Sequence, residues 1–306
     1  MIGVAGPAAE RLKENIMGSA FPRTTAGGVS LPRMLIGSNW VMGFSHTSAA
    51  ADDLIRRTHA SREAIADLLA VFMGAGVDAM MGGFQKQPVL MDGIRLAEDR
   101  TGRSLILIDT PSMNVDDSAA ARREAEATIR ASAALGATFC MPHHTSAEQL
   151  VNKNTRSITR LPDYLSMIRQ HGMVPGLSAH MPELIIFSDL NGYDVETYVQ
   201  LYNCAGFLMQ VEIEYIHSVI WGAKKPVMTI KPMAAGRVSP FVGITFSFAT
   251  LRECDMVTVG CLTPQEAAED IEIGLAAIER RQPDIRGRDS SAKSVIMKER
   301  IKRAAP

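Results

Sequence analysis

The chain has 306 residues, 46% of them hydrophobic and 21% charged, with a formal net charge of -1. That length supports a sizeable buried core, and the near-zero charge excludes the overall basic field that nucleic acid or an anionic membrane would require, so a small-molecule substrate is the expected partner. No run of 18 apolar residues occurs, and Glu10 and Glu14 interrupt the N-terminal stretch, so neither signal peptide nor membrane span is predicted and a cytoplasmic location is expected.

From residue 33 onward, short apolar runs alternate with longer amphipathic stretches, the pattern of βα units. Eight strands are predicted: RMLIGSN (33–39), VDAMMGG (77–83), SLILIDT (104–110), ATFCMPH (137–143), MVPGLSA (173–179), TYVQLYN (197–203), PVMTIKP (226–232) and DMVTVGC (255–261). Helical stretches between and after them include 61–76, 118–136, 161–172 and 263–281. Three helices stop at a glycine just before the next strand, in GAGVDAM, ALGATFC and QHGMVPG, as helix C-termini commonly do.

Eight strands in about 250 residues fit a single (β/α)8 TIM barrel better than an open doubly wound sheet. The barrel is expected over about 33–280, as one domain spanning 1–306, with an N-terminal extension over 1–30 and a charged tail over 281–306 that reads as a terminal helix. That tail and the methionine content leave room for a homo-oligomer. The 18 methionines read as core filler, and Cys140, Cys204, Cys254 and Cys261 lack a CxxC spacing and read as reduced thiols.

In such a barrel the active site lies at the C-terminal ends of the strands. That rule collects Asn39, Trp40 and His46 after strand one, Gln85 after strand two and Asp109 at the end of strand three. It adds the doublet His143 and His144 after strand four, His180 after strand five, Asn203 and Glu212 after strand six, and Lys231 and Arg237 after strand seven. Neutral imidazole is a common transition-metal ligand, so His143, His144, His180 and Glu212 form a candidate site for a divalent ion such as Zn, Mn or Mg, or an acid/base set. Glu212 reads equally as a first-turn carboxylate that favours the positive end of a helix.

Asp109 and Lys231 are candidate proton handlers; a mouth lysine can also form a Schiff base or bind an anion. Asn39, Trp40, His46, Gln85, Asn203 and Arg237 are candidate substrate contacts. In KPMAAGRVSP, small residues and Gly236 precede Arg237, where barrels frequently bind phosphate. Thr263, Pro264 and Glu266 read as a helix cap, with Glu266 closing a capping box.

The stretches AGGVSLPRMLIGSN, KPMAAGR and MVTVGCLTPQEAAEDIE resemble the aldo-keto reductases, most strongly over 224–280. The resemblance implies an N-terminal β-hairpin before the first barrel strand and NADP(H) binding. Lys231, Gly236 and Arg237 would then lie near the pyrophosphate, and Gln265 and Glu266 near the adenosine end. The family's Asp, Tyr, Lys and His tetrad is not kept. GVDAMMGGFQKQ holds Met80, Met81 and Gly82 where the Asp is sought and has no Tyr, Phe84 cannot donate a proton, and Asp109 stands where the family has Lys. Only the strand-four histidine persists, as His143 or His144.

The leading expectation is therefore an enzyme acting on a small polar, sugar-like or hydroxy-acid-like substrate by lyase or isomerase acid/base chemistry, with or without a divalent metal. An NADP(H)-dependent oxidoreductase with a substituted proton donor and a non-catalytic binding barrel are the alternatives.

Overall fold

Parallel pairing of strands that are buried on both faces organises the chain, which is described over residues 20–285 by a computed structural model. The barrel strands are β3 (Met34–Gly37), β4 (Ala79–Gly82), β5 (Ile106–Asp109), β6 (Phe139–Cys140), β9 (Val174–Pro175), β10 (Leu177–Ser178), β11 (Tyr198–Leu201), β12 (Val227–Ile230) and β13 (Met256–Val259). Their order is β10-β11-β12-β13-β3-β4-β5-β6-β9, and every neighbouring pair is parallel.

β9 and β10 are two halves of the fifth barrel strand, so these nine segments make an eight-stranded ring that closes at Gly176. The Gly176 N–H donates to Cys140 O at 3.3 Å on one side, and the Leu177 N–H donates to Thr197 O at 3.2 Å on the other. No side chain fits at that junction: a Cβ on Gly176 would stand 2.6 Å from Met141 Cε and 2.9 Å from Thr197 O.

Strand alternation divides the core in two. Leu35, Ala79, Met81, Ile108, Phe139, Met141, Val199, Met228 and Met256 fill the barrel interior. Met34, Ile36, Met80, Leu107, Cys140, Tyr198, Val227 and Val257 face outward against the helices. An antiparallel hairpin, β1 (Arg23–Ala26) and β2 (Val29–Pro32), leads into β3, and its Ala26 and Leu31 pack with the interior residues at the N-terminal end of the barrel. The eight predicted strands and this hairpin are all present.

The helices are α1 (Asn39–Met42), α2 (Ala49–Thr58), α3 (Arg62–Gly74), α4 (Pro88–Thr101), α5 (Ala119–Ala134), α6 (His144–Ala147), α7 (Leu161–Gln170), α8 (Glu183–Asn191), α9 (Ile213–Gly222), α10 (Pro240–Thr250) and α11 (Pro264–Glu279). Ser48, Ser61, Ser118, Ser239 and Thr263 cap five of them by accepting a backbone N–H from the third residue onward. Between α6 and α7 the chain forms a second small hairpin, β7 (Val151–Asn152) and β8 (Ser157–Ile158), which no sequence signal announced.

All four cysteines are free thiols. No helix among the described residues is long and apolar enough to cross a membrane. Residues 1–19 and nearly all of the predicted C-terminal helix lie outside the described residues.

Ring closure at Gly176 leads to a stability prediction. Gly176→Val should destabilise the chain by about 1–3 kcal/mol, the usual cost of overpacking a filled core, read as a lower urea midpoint at unchanged slope. An unchanged midpoint would mean that strand five does not close the ring as described.

Candidate active site

Beyond Cys140 the fourth strand ends, and Pro142 and His143 lead into the short helix α6. Strict alternation lapses there, and both histidines of the doublet reach the mouth, with ring centroids 4.2 Å apart. They do different things. His143 caps α6: its Nδ1 lies 2.8 Å from Thr145 Oγ1 and 3.4 Å from Ser112 Oγ, and it accepts the Thr145 N–H at 3.4 Å. His144 starts the helix and places Nδ1 3.7 Å from Glu148 Oε2, four residues on.

His180, two residues past β10, stacks on His144 with centroids 3.7 Å apart and an interplanar angle of 16°. Glu148 also holds the backbone of that strand end, its Oε1 accepting the N–H groups of His180 at 2.6 Å and Met181 at 2.8 Å. The charged forms respond to this packing. Burial, followed by the neighbouring His144 and Lys231, pushes His143 down to about 4 and His180 down to about 3, so both are neutral near pH 7. Burial works to raise Glu148, but its contact with His144 and the two amides prevail, leaving it below its ordinary value and ionised.

Across the mouth, Lys231 follows β12, where alternation would turn it toward the helices. Its φ of 60° reverses that direction, and its Nζ lies 3.1 Å from His46 Nε2. Asn39 Nδ2 lies 3.2 Å from the same nitrogen. Burial lowers Lys231 to about 8, and burial together with Lys231 lowers His46. Trp40 covers the end of the eighth strand so closely that a Cβ on Gly260 would stand 3.0 Å from its Cδ1.

Several expected site residues lie elsewhere. Asp109 is fully buried on the outward face of β5: it accepts from Ser132 Oγ of α5 at 2.6 Å and from the Phe84 N–H at 3.1 Å. Its inward neighbour Ile108 takes the interior position. Burial raises the Asp109 carboxyl above its ordinary value despite those bonds. Gln85 follows it into the helix layer, donating to Thr128 O and Ser132 Oγ, each at 3.0 Å. Both are corrected from mouth residues to supports of the loop after β4.

Asn203 is also buried; its Oδ1 accepts from Ala205 at 3.2 Å and from Phe207 at 2.8 Å, and its Nδ2 donates to Phe207 O at 3.0 Å. Its amide is therefore committed to the loop after β11. Glu212 is the exposed residue before α9 and is absent from the cluster of possible metal ligands among the described residues, which is His144, Glu148 and His180. The carboxylate at the imidazoles is Glu148, whose i,i+4 spacing from His144 in HHTSAEQ was available as a signal. Ser112 and Thr145, which hold His143, were also missed.

The residues expected to hold NADP(H) lie in the loop after β12 and at the start of α11. Arg237 lies over the Phe207 ring, 4.0 Å from its centroid, and donates to Ala234 O at 3.2 Å. Gly236 follows Ala234 and Ala235 through a left-handed turn, with φ of 84°, 49° and 56° respectively. Glu266 is spent on the cap, accepting the Leu262 N–H at 2.7 Å while its own N–H donates to Thr263 at 3.1 Å, and Gln265 is exposed. The Tyr198 hydroxyl donates to Asp189 and that of Tyr202 to Thr250, both on the helix side, while Phe84 is buried.

A protein from Pseudomonas aeruginosa assigned to the aldo-keto reductases superposes with a TM-score of 0.62 at 13% identity, covering 86% of this chain and 98% of its own. The fold is that of the aldo-keto reductases. An aldo-keto reductase from Klebsiella pneumoniae in complex with NADPH gives a TM-score of 0.51 at 13% identity, over 92% of this chain and 95% of its own. No protein-family model and no curated protein matches the sequence. The likeness to both structures is one of fold, an aldo-keto-reductase-like barrel.

The burial of Asp109 can be tested by separating charge from shape. Asp109→Asn should leave stability at pH 7 within about 1 kcal/mol of the parent, because it removes a disfavoured buried charge while keeping the acceptor for Phe84. Asp109→Ala should lose about 1–3 kcal/mol by leaving buried donors unpaired. Equal losses in chemical denaturation would contradict the assignment.

Proposed function

We propose that the chain is an enzyme that moves protons on a small polar oxygenated substrate, sugar-like or hydroxy-acid-like, by lyase or isomerase chemistry. The observation that carries this reading is the His144–Glu148 pair. Glu148 faces Nδ1, so the carboxylate favours the tautomer with its proton there and stabilises the imidazolium that forms when Nε2 takes a proton. Among the described residues Nε2 has no hydrogen-bond partner, and the carboxylate is itself held by two backbone amides. His143 and His180, being neutral, can each donate to a substrate oxygen without carrying a charge into the site.

A divalent ion fits this mouth only after a rearrangement. A ligand nitrogen directs its lone pair in the plane of its ring, and the planes of His144 and His180 are nearly parallel. One ion at about 2.0–2.1 Å from both nitrogens cannot lie in both planes until one ring turns. With that turn His144, Glu148 and His180 would hold the ion, which would supply Lewis-acid polarisation of a carbonyl. The acid/base reading needs no such turn.

The oxidoreductase alternative has less support, because Arg237 and Glu266, two of the residues that would grip the nucleotide, are engaged by the Phe207 ring, Ala234 and the helix cap. A binding barrel without catalysis predicts neither exchange nor turnover.

The test is C–H exchange and conversion in D2O, followed by proton NMR over a panel of sugars, sugar acids and hydroxy acids. His144→Gln should slow the active reaction by about 10²–10⁴-fold, the usual contribution of a general base, and Glu148→Gln should slow it less. Undiminished exchange in His144→Gln, or turnover that appears only with NADP(H), would overturn the proposal.

A further inference from the structure

Resting on the acid/base reading above, we infer that Lys231 is a nucleophile that condenses with an aldehyde or ketone, so that the substrate is a carbonyl compound held as an iminium during proton transfer. The position of this lysine is unusual. Ile230 points into the barrel and Val227 away from it, which assigns the next residue, Lys231, to the helix side. A left-handed backbone, disfavoured for any residue with a Cβ, brings the amine back over the mouth. Strain of this kind persists only where the surroundings impose it.

Among the described residues the amine has no carboxylate counter-ion. Lys153 and Lys225 pair with Glu183 and Glu196, whereas the hydrogen bond from Lys231 goes to a neutral imidazole, that of His46. The titratable groups that face it are His46 from the loop after α1, His143 from the end of β6 and His180 from the end of β10, with His144 and Glu148 behind them. Burial without a paired carboxylate brings the amine to about 8, so an appreciable fraction is neutral under ordinary conditions.

The chemistry balances without an oxidant or cofactor. The lone pair of Nζ adds to the carbonyl carbon as the C=O π pair moves to oxygen, which takes a proton from solvent. The carbinolamine then expels that oxygen as water, leaving the protonated imine. His46, 3.1 Å from Nζ, is placed to relay the proton lost by nitrogen to the departing hydroxyl. The iminium acidifies the adjacent C–H, which gives the Nε2 base of His144 a proton to remove.

The wild-type chain, incubated with glycolaldehyde, dihydroxyacetone or pyruvate, reduced with sodium borohydride and mapped by mass spectrometry, tests the inference without a folding risk. The expected result is a reduced adduct on Lys231 at least tenfold over Lys86, Lys224 and Lys225, formed faster as pH rises through about 8 and at least tenfold more slowly in His46→Ala. No adduct with any probe, or labelling spread evenly over the surface lysines, would overturn it. Lys231→Arg, which keeps the charge and cannot form an imine, separates the two proposals in the D2O assay. Exchange surviving in Lys231→Arg removes the covalent step and leaves the acid/base reading. An adduct on Lys231 with exchange undiminished in His144→Gln removes the acid/base reading instead.

Discussion

Alternation along eight parallel strands is the constraint on which this molecule depends. Each strand residue either fills the barrel or packs on a helix, and because both layers are mostly apolar, the imidazoles and the amine of the mouth arrive where a strand has ended or the backbone turns over. His143 and His144 follow a strand that stops at Cys140. Lys231 arrives through a left-handed residue, and its partner His46 is itself left-handed, with φ of 58°. Asp109, still within β5, obeys the alternation and goes to the helices.

The residues that do arrive share one electrostatic condition. Burial disfavours an added proton on His143, His180 and Lys231, so those two imidazoles stay neutral near pH 7 and the lysine gives up its proton more readily than an exposed one. Glu148 is the exception: two amides and an imidazole favour its charge where burial disfavours it. An ionised Glu148, neutral His143 and His180 and a half-buried amine are the charge pattern on which the proposed passing of protons rests.

Much of the barrel was legible in the chain itself. Apolar runs bounded by glycine located all eight strands, and the Thr263 cap closed as its sequence implied. The face each residue takes was harder to read. In LILID every position is apolar up to Asp109, so the pattern carries no parity when both faces are buried, and Asp109 and Gln85 were expected on the wrong side. The switch of strand five between partners at Gly176 depends on closure of the ring, a global property with no local signal. Glu212 was favoured by its nearness to a strand end, whereas Glu148 lay in plain view at helical spacing from His144. The left-handed φ of Lys231 has no counterpart in its sequence, since neither glycine nor asparagine marks the turn there.

The central claim is that the mouth is a desolvated group of neutral imidazoles arranged around a His–Glu pair. Proton–nitrogen correlation spectra of the histidine rings, recorded from pH 8 down to pH 3, examine it directly. His143 and His180 should hold a single neutral tautomer well below pH 6 and begin to protonate only near 4 and 3, if the chain stays folded that far. Either ring titrating near the ordinary value of 6.5 would mean that the mouth is open to water and that the account of its chemistry is wrong.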